Sequence, residues 1–159
     1  MHETPDDLRA LQRLLDDSHA GAGEHLRSIF TDERRLSAEA LVERLTGVCV
    51  LDLATVTAAG EPRVAPVDGL FYRGQWHFGS SPTSARFRHI EARPAVSGSH
   101  TRGESLAVIV HGTARRVDVE GAFRDFLVEI YGEGWADWGA GAPYAVIEAR
   151  RMFTFAGAG

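Results

Sequence analysis

Apolar positions in the first third of the chain recur every three or four residues. Thr4-Pro5-Asp6-Asp7 reads as an N-cap, a proline at the first helical position and acidic residues in the first turn, ahead of Leu8, Leu11, Leu14 and Leu15 on one face. This spacing predicts a helix over about residues 5–19 that stops in Gly21-Ala22-Gly23. The following HLRSIF segment fits helix and loop equally. Ser37 caps a second helix carrying Leu41, Val42 and Leu45, with Gly47 as its C-terminal stop.

From Val48 the period changes to two. VCVLDLATVT, PRVAPVDGLFYRG and QWHFGS are rich in β-branched and aromatic residues and are punctuated by turns at Ala59-Gly60 and Arg73-Gly74. Pro62 and Pro66 lack an amide donor, so their strand is expected to be an edge, bulged, or bent where something lies against it; a ligand is one candidate. After a helical stretch at about residues 82–92, AVSGSH and SLAVIVHGTARRVDV resume strand character around an Arg102-Gly103 hairpin turn. GAFRDFLVEIY sets Phe123, Phe126, Leu127 and Ile130 on one helical face, and YAVIEARRMFTF closes the chain as a strand. Between them the irregular segment Gly132 to Pro143 carries Trp135 and Trp138, which suit a binding loop or a loop folded onto the core. The pattern predicts a mainly β fold with helices, α+β in class: about six antiparallel strands in a small closed barrel, since closure removes exposed edges. Residues 1–47 form an N-terminal helical extension packed on the barrel of residues 48–159, within one structural domain without repeats, low-complexity tracts or a convincing linker.

Composition narrows the function classes. A formal charge of -5 over 159 residues argues against a nucleic-acid footprint, which calls for a basic stripe. The single cysteine, Cys49, lies between valines, cannot form an intrachain disulfide and reads as a small core residue. The N-terminus lacks the basic-then-apolar order of a signal peptide, and no apolar run approaches the ~20 residues of a membrane span, so a cytoplasmic setting is expected. Seven histidines are scattered without metal-ligand spacing, and His89 and His111 read as ordinary polar or core residues; no metal is expected. Gly-x-Ser-x-Gly, Walker and dinucleotide motifs are absent, and Asp16-Asp17 and Asp32-Glu33 read as solvated helix ends.

One stretch is chemically dense. FGSSPTSARFRHI, Phe78 to Ile90, holds four hydroxyls and two arginines. Ser81 stands as N-cap, Pro82 as first helical residue and Ser84 two positions on, so free N–H groups of a helix start lie among hydroxyls. Arg86 and Arg88 add charged donors, and Arg63, one hairpin away, is a further cation able to reach the same anion. The alternative is a plain cap with both arginines in water.

The order LATVTAAGEPRVAPVDGLFYRGQWHFGSSPTSARFRHIEARPAVSG, followed by VHGTARRV and ARRMFTF, resembles the flavin-binding split-barrel superfamily, which includes pyridoxamine 5'-phosphate oxidase and the deazaflavin-dependent reductases. The resemblance covers Val48 to about Val119 and implies a six-stranded split barrel binding FMN. It implies that the strand Arg63, Val64, Ala65, Pro66, Val67 runs along the isoalloxazine ring, and that Ser80, Ser84 and Arg86 hold the phosphate with Arg63, with Ser81 and Arg88 beside them. The oxidases have Ser-Arg-Lys where this chain has Ser84-Ala85-Arg86, so one phosphate cation is absent and a lysine is an arginine. They also end in a basic segment that this chain does not carry, so vitamin B6 oxidation itself is not expected. The implied function is an FMN-dependent oxidoreductase acting on a small molecule by hydride transfer, in a homodimer with cofactor sites at the subunit interface, where Trp135, Trp138 or Tyr144 line the pocket. F420 is the alternative cofactor, its acidic tail drawing on Arg88, Arg102 or Arg115. A non-catalytic flavin or heme binder acting in storage or sensing is the alternative of another class, with His77, His89 or His111 as candidate heme ligands.

Overall fold

Alternation decides which side of the sheet each strand buries. In β1 (Cys49–Val56), Cys49, Leu51, Leu53 and Thr55 point inward while Val50 and Asp52 face out. Five further strands, β2 (Pro62–Tyr72), β3 (Gln75–Gly79), β4 (Ala95–Arg102), β5 (Leu106–Val117) and β6 (Tyr144–Ala156), pair antiparallel with it in the order β1-β2-β3-β6-β5-β4 and close into a barrel. The structure, a computed structural model, describes residues 1–139 and 141–157. The α+β barrel expected from the sequence is the observed architecture.

Two irregularities shape the wall. His111 pairs with Arg151 and Gly112 with Ala149, so Arg150 is an extra residue that bulges and bends β6. β1 pairs β2 over Pro62–Gly69, but β3 meets it only over Gly69–Tyr72. Its first half, Pro62 to Asp68, is therefore an edge on one side, as the two prolines require.

Helices close the ends. α1 (Pro5–Ala20) starts with a reciprocal capping box between Thr4 and Asp7, and α3 (Ala38–Arg44) is capped by the Ser37 hydroxyl. HLRSIF resolves as a short helix, α2 (Glu24–Ile29). α3 gives way at Leu45, ahead of Gly47, whose φ of 68° serves the turn into β1. Leu11, Leu15, Leu36, Leu41, Val42 and Leu45 share one core with Leu51, Leu53, Phe78, Val108 and Ile147 of the barrel. Hydrogen bonds add direction to that apolar contact. Ser18 Oγ accepts from the Met152 amide (2.9 Å) and donates to the Leu14 carbonyl (2.6 Å), while the Leu36 amide donates to Thr154 Oγ1 (3.0 Å).

Between β3 and β4 lies α4 (Ala85–Ala92); α5 (Gly121–Tyr131) and the single turn α6 (Trp135–Trp138) lie between β5 and β6. The segment expected to be irregular from Gly132 to Pro143 is thus partly helical, and its Ala140 lies outside the described residues. α5 and α6 build a second core with Leu70, Tyr72, Phe126, Leu127, Trp135 and Tyr144. Among the described residues no helix is long and apolar enough to cross a membrane.

Candidate functional site

The open half of β2 and the start of α4 face each other across a cleft of about 470 Å³. Leu53, Thr55 and Thr57 form its base, Arg63, Val64 and Ala65 one wall, and Ser84, Ala85, Arg86 and His89 the other. Along Pro62–Asp68, alternate residues turn their backbone groups away from β1 towards a side where no strand pairs. Cations and a free backbone edge thus share one hollow.

α4 begins later than its sequence suggests. The Ser84 amide donates to the Ser81 carbonyl (3.0 Å), closing a turn with Pro82 at its second position, and Ser81 Oγ bonds Thr83 Oγ1 (3.1 Å). Ser84 is the N-cap, its hydroxyl accepting from the Phe87 amide, so Ser81 and Pro82 are turn residues rather than cap and first helical residue. Pro82 suits both roles, which is why spacing alone misplaced the start by three residues.

The shift sorts the hydroxyls and arginines of this stretch. Arg86 Nη1 donates to Ser80 Oγ (2.9 Å), which fixes the guanidinium against the end of β3 with its other N–H groups uncommitted among the described residues. Burial pulls Arg86 below the ordinary guanidinium value, yet it remains a cation at neutral pH. Arg88 turns away, donating to the Thr83 carbonyl (3.1 Å) on the exposed side of α4. Arg63 reaches the cleft but is held at its rim by Glu61 (2.7 Å).

Other expected residues fall elsewhere. Pro66 is exposed and Val67 buried, and neither lines the cleft; Ser80 and Ser81 face a neighbouring hollow. Arg102 sits beside Cys49 at the far end of β1, and Arg115 is paired with Glu148 (2.7 Å). His77 is buried against Tyr72 and Phe123, and His111 is exposed and bonded to Ser97, so the three histidines do not converge. Trp135 is fully buried, its indole N–H donating to Tyr144 Oη (3.3 Å); only Trp138 of the loop aromatics is exposed. Cys49 is buried, as its valine neighbours indicate, and burial pushes its thiol up.

His89 was missed as a cleft residue. Its Nδ1 shares a 2.9 Å hydrogen bond with Thr55 Oγ1, and it stands three residues after Arg86 on the same helical face. That spacing was the available signal.

No protein-family model matches the sequence, and neither does any curated protein. Solved structures do. A FAD-binding protein from Mesorhizobium loti superposes with a TM-score of 0.60 at 20% identity, over 79% of this chain and 98% of that one. A NimC/NimA family protein from Clostridium acetobutylicum gives 0.58 at 16%, over 87% and 95%. An F420 reductase gives 0.55 at 26%, over 68% and 91%. The chain has the flavin-binding split-barrel fold. The cleft lies along the half of β2 that β3 leaves unpaired.

Proposed function

We propose that the protein binds a phosphorylated flavin-type cofactor, FMN in the first instance, and acts as an oxidoreductase on a small molecule. One observation carries the reading: Arg63 from a strand and Arg86 from a helix line the same cleft as the Ser84 cap, beside an unpaired backbone edge. The donor set fits the group. Two guanidinium forks suit a phosphate better than ammonium groups would, and Arg86 is already oriented by Ser80. The missing third cation, at Ala85, leaves room at the wall rather than a competing charge.

A bound flavin supplies hydride exchange at its ring. The chain's own part is to hold the phosphate with Arg63, Ser84 and Arg86, to offer the backbone groups of Val64 to a polar ring edge, and to keep water off the base through Leu53. The likeness to an F420 reductase favours F420 as a second reading, with Arg88 swinging in from the rim for its acidic tail. A homodimer belongs to the proposal. Val50 and Val64, 54% and 70% exposed, share the outer face of β1 and β2 with Pro62 and Pro66, a surface bordering the cleft that also carries Asp52 and Asp68. The expected setting is cytoplasmic.

The protein purified from its own cells, denatured to release its chromophore, tests this by absorbance and mass. FMN supports the first reading and F420 the second; heme, or a colourless protein that takes up neither flavin at micromolar concentration, overturns both. A bound flavin that no nicotinamide donor reduces would assign the protein to flavin binding or sensing. Val64→Asp is expected to turn a dimer into a monomer in sedimentation; a wild-type monomer refutes the interface.

A further inference from the structure

A separate hollow of about 240 Å³ opens where the first residues of the chain, the end of α3 and the helix α5 meet. Its floor is apolar: Val42, Leu45, Phe71 and Phe126 are buried and Ile130 is half-buried. It shares no lining residue with the cleft, or with the hollow that Ser80 and Ser81 face. A cavity of about 150 Å³ walled by leucine, isoleucine and phenylalanine takes a benzene ring, so this one has room for a ring and a short tail.

The rim is acidic. Glu3, Glu43 and Glu129 line it, and among the described residues His2 is its one basic side chain. His2 Nε2 meets Glu129 at 3.2 Å, and its ring stands edge-on to Phe126 with centres 4.9 Å apart. Glu3 accepts from the His2 and Gly74 amides at 3.0 and 3.4 Å, which ties this first stretch over the hollow. Glu43 is exposed and forms no ion pair among the described residues. Even with His2 protonated and the Met1 amino group beside it, the carboxylates outnumber the cations.

We infer that this hollow binds a small organic ammonium ion, its apolar tail on the floor of Phe71 and Phe126 and its charge at the rim with Glu43 and Glu129. Burial of the tail supplies affinity, and the carboxylates select the sign of the head. A carboxylate of the same shape would find the same floor and a rim of like charge. An ammonium ion without a tail would leave the floor unused and keep its hydration in competition with the rim.

Four probes test the inference on the protein as purified, at low salt: 2-phenylethylammonium, neutral 2-phenylethanol, phenylacetate and methylammonium. Affinity is read from ligand NMR and the site is located by backbone amide shifts. 2-Phenylethylammonium is expected to bind at least about tenfold tighter than phenylacetate or methylammonium, with shifts at Thr46, Gly47 and Ile130 and none at Ser84 or Arg86. Glu43→Gln is expected to weaken it about two- to fivefold, the range of an exposed pair, and to leave the alcohol unchanged. Glu43 is exposed, so the substitution leaves the fold intact; circular dichroism checks this. Equal affinity for ammonium and carboxylate, equal binding of methylammonium, an unchanged ammonium affinity in Glu43→Gln or an equal loss of the alcohol, shifts confined to the cleft, or no binding of 2-phenylethylammonium at about 1 mM each overturns the inference. No readout passes through the cofactor, so failure here leaves the FMN reading standing, and a colourless protein leaves this site testable.

Discussion

Replacing Arg86 by alanine should cost FMN affinity through the phosphate alone. The guanidinium lines the cleft with one nitrogen given to Ser80 and the rest free, so truncation removes one or two charge-assisted hydrogen bonds to a phosphate and disturbs little else. Hydrogen bonds involving a charged partner contribute about 1.5–3 kcal/mol, which places the loss at about ten- to hundredfold in Kd. Riboflavin, the same ring without phosphate, supplies the control. Titrating both into wild type and Arg86→Ala by flavin fluorescence gives a cycle whose coupling is the phosphate contribution. Riboflavin affinity should move by less than about twofold, within the scatter expected for sites that do not interact. Arg86→Lys should recover only part of the FMN loss, since an ammonium lacks the planar fork that serves Ser80 and a phosphate together. An equal loss for FMN and riboflavin would mean that Arg86 shapes the ring pocket, and an unchanged FMN affinity would put the phosphate elsewhere; either refutes the reasoning.

Three further outcomes follow from the geometry. Glu61 occupies Arg63 at 2.7 Å, so Glu61→Gln should strengthen FMN binding about two- to fivefold at low salt, the range of an exposed pair, and the gain should shrink in salt. His77 is pushed down to about 4, chiefly by burial and then by the Arg115 charge, against the Gln75 carbonyl that pulls it up. The unfolded chain therefore takes up a proton between about pH 6.5 and 4 that the folded one refuses: stability is full above that window and falls through it by up to about 3 kcal/mol. Urea titrations at the two ends should show this drop, and His77→Phe, which suits the Tyr72 and Phe123 rings, should flatten it. Ser18→Ala orphans the buried Met152 amide and should cost about 1–3 kcal/mol, read as a shift of the urea midpoint at constant slope.

Much of this was legible because alternation and capping are local. The capping box at Thr4, the inward row Cys49, Leu51, Leu53 and Thr55, and the hairpin turns at Gly60, Gly74 and Gly103, all at positive φ, follow from neighbours in sequence. Pro62 and Pro66 marked the edge for the same reason. What local rules could not decide was direction. Ser81 and Ser84 both cap acceptably, and only the pull of Phe87 and Ile90 into the core selects the later start, which turns Arg86 inward and Arg88 out. Arg102 and Arg115 look like equal cations in the sequence, but β-sheet register carries one to the far end of the barrel and gives the other to Glu148. Trp135 and Trp138 are separated by one helical turn, and the single turn of α6 sends one into the core and leaves the other in water.

An unpaired stretch of strand is also a hazard, since any other extended chain can add to it and propagate. Here the hazard is contained by the same residues that advertise the opening. Pro62 and Pro66 interrupt the row of donors at both ends of Arg63, Val64 and Ala65, leaving a gap long enough for a heterocycle and too short for a growing ladder. Pro66→Val would join the donors of Val64 and Asp68 into one row beyond Pro62; its cost would surface as fibril formation on storage long before it surfaced in folding.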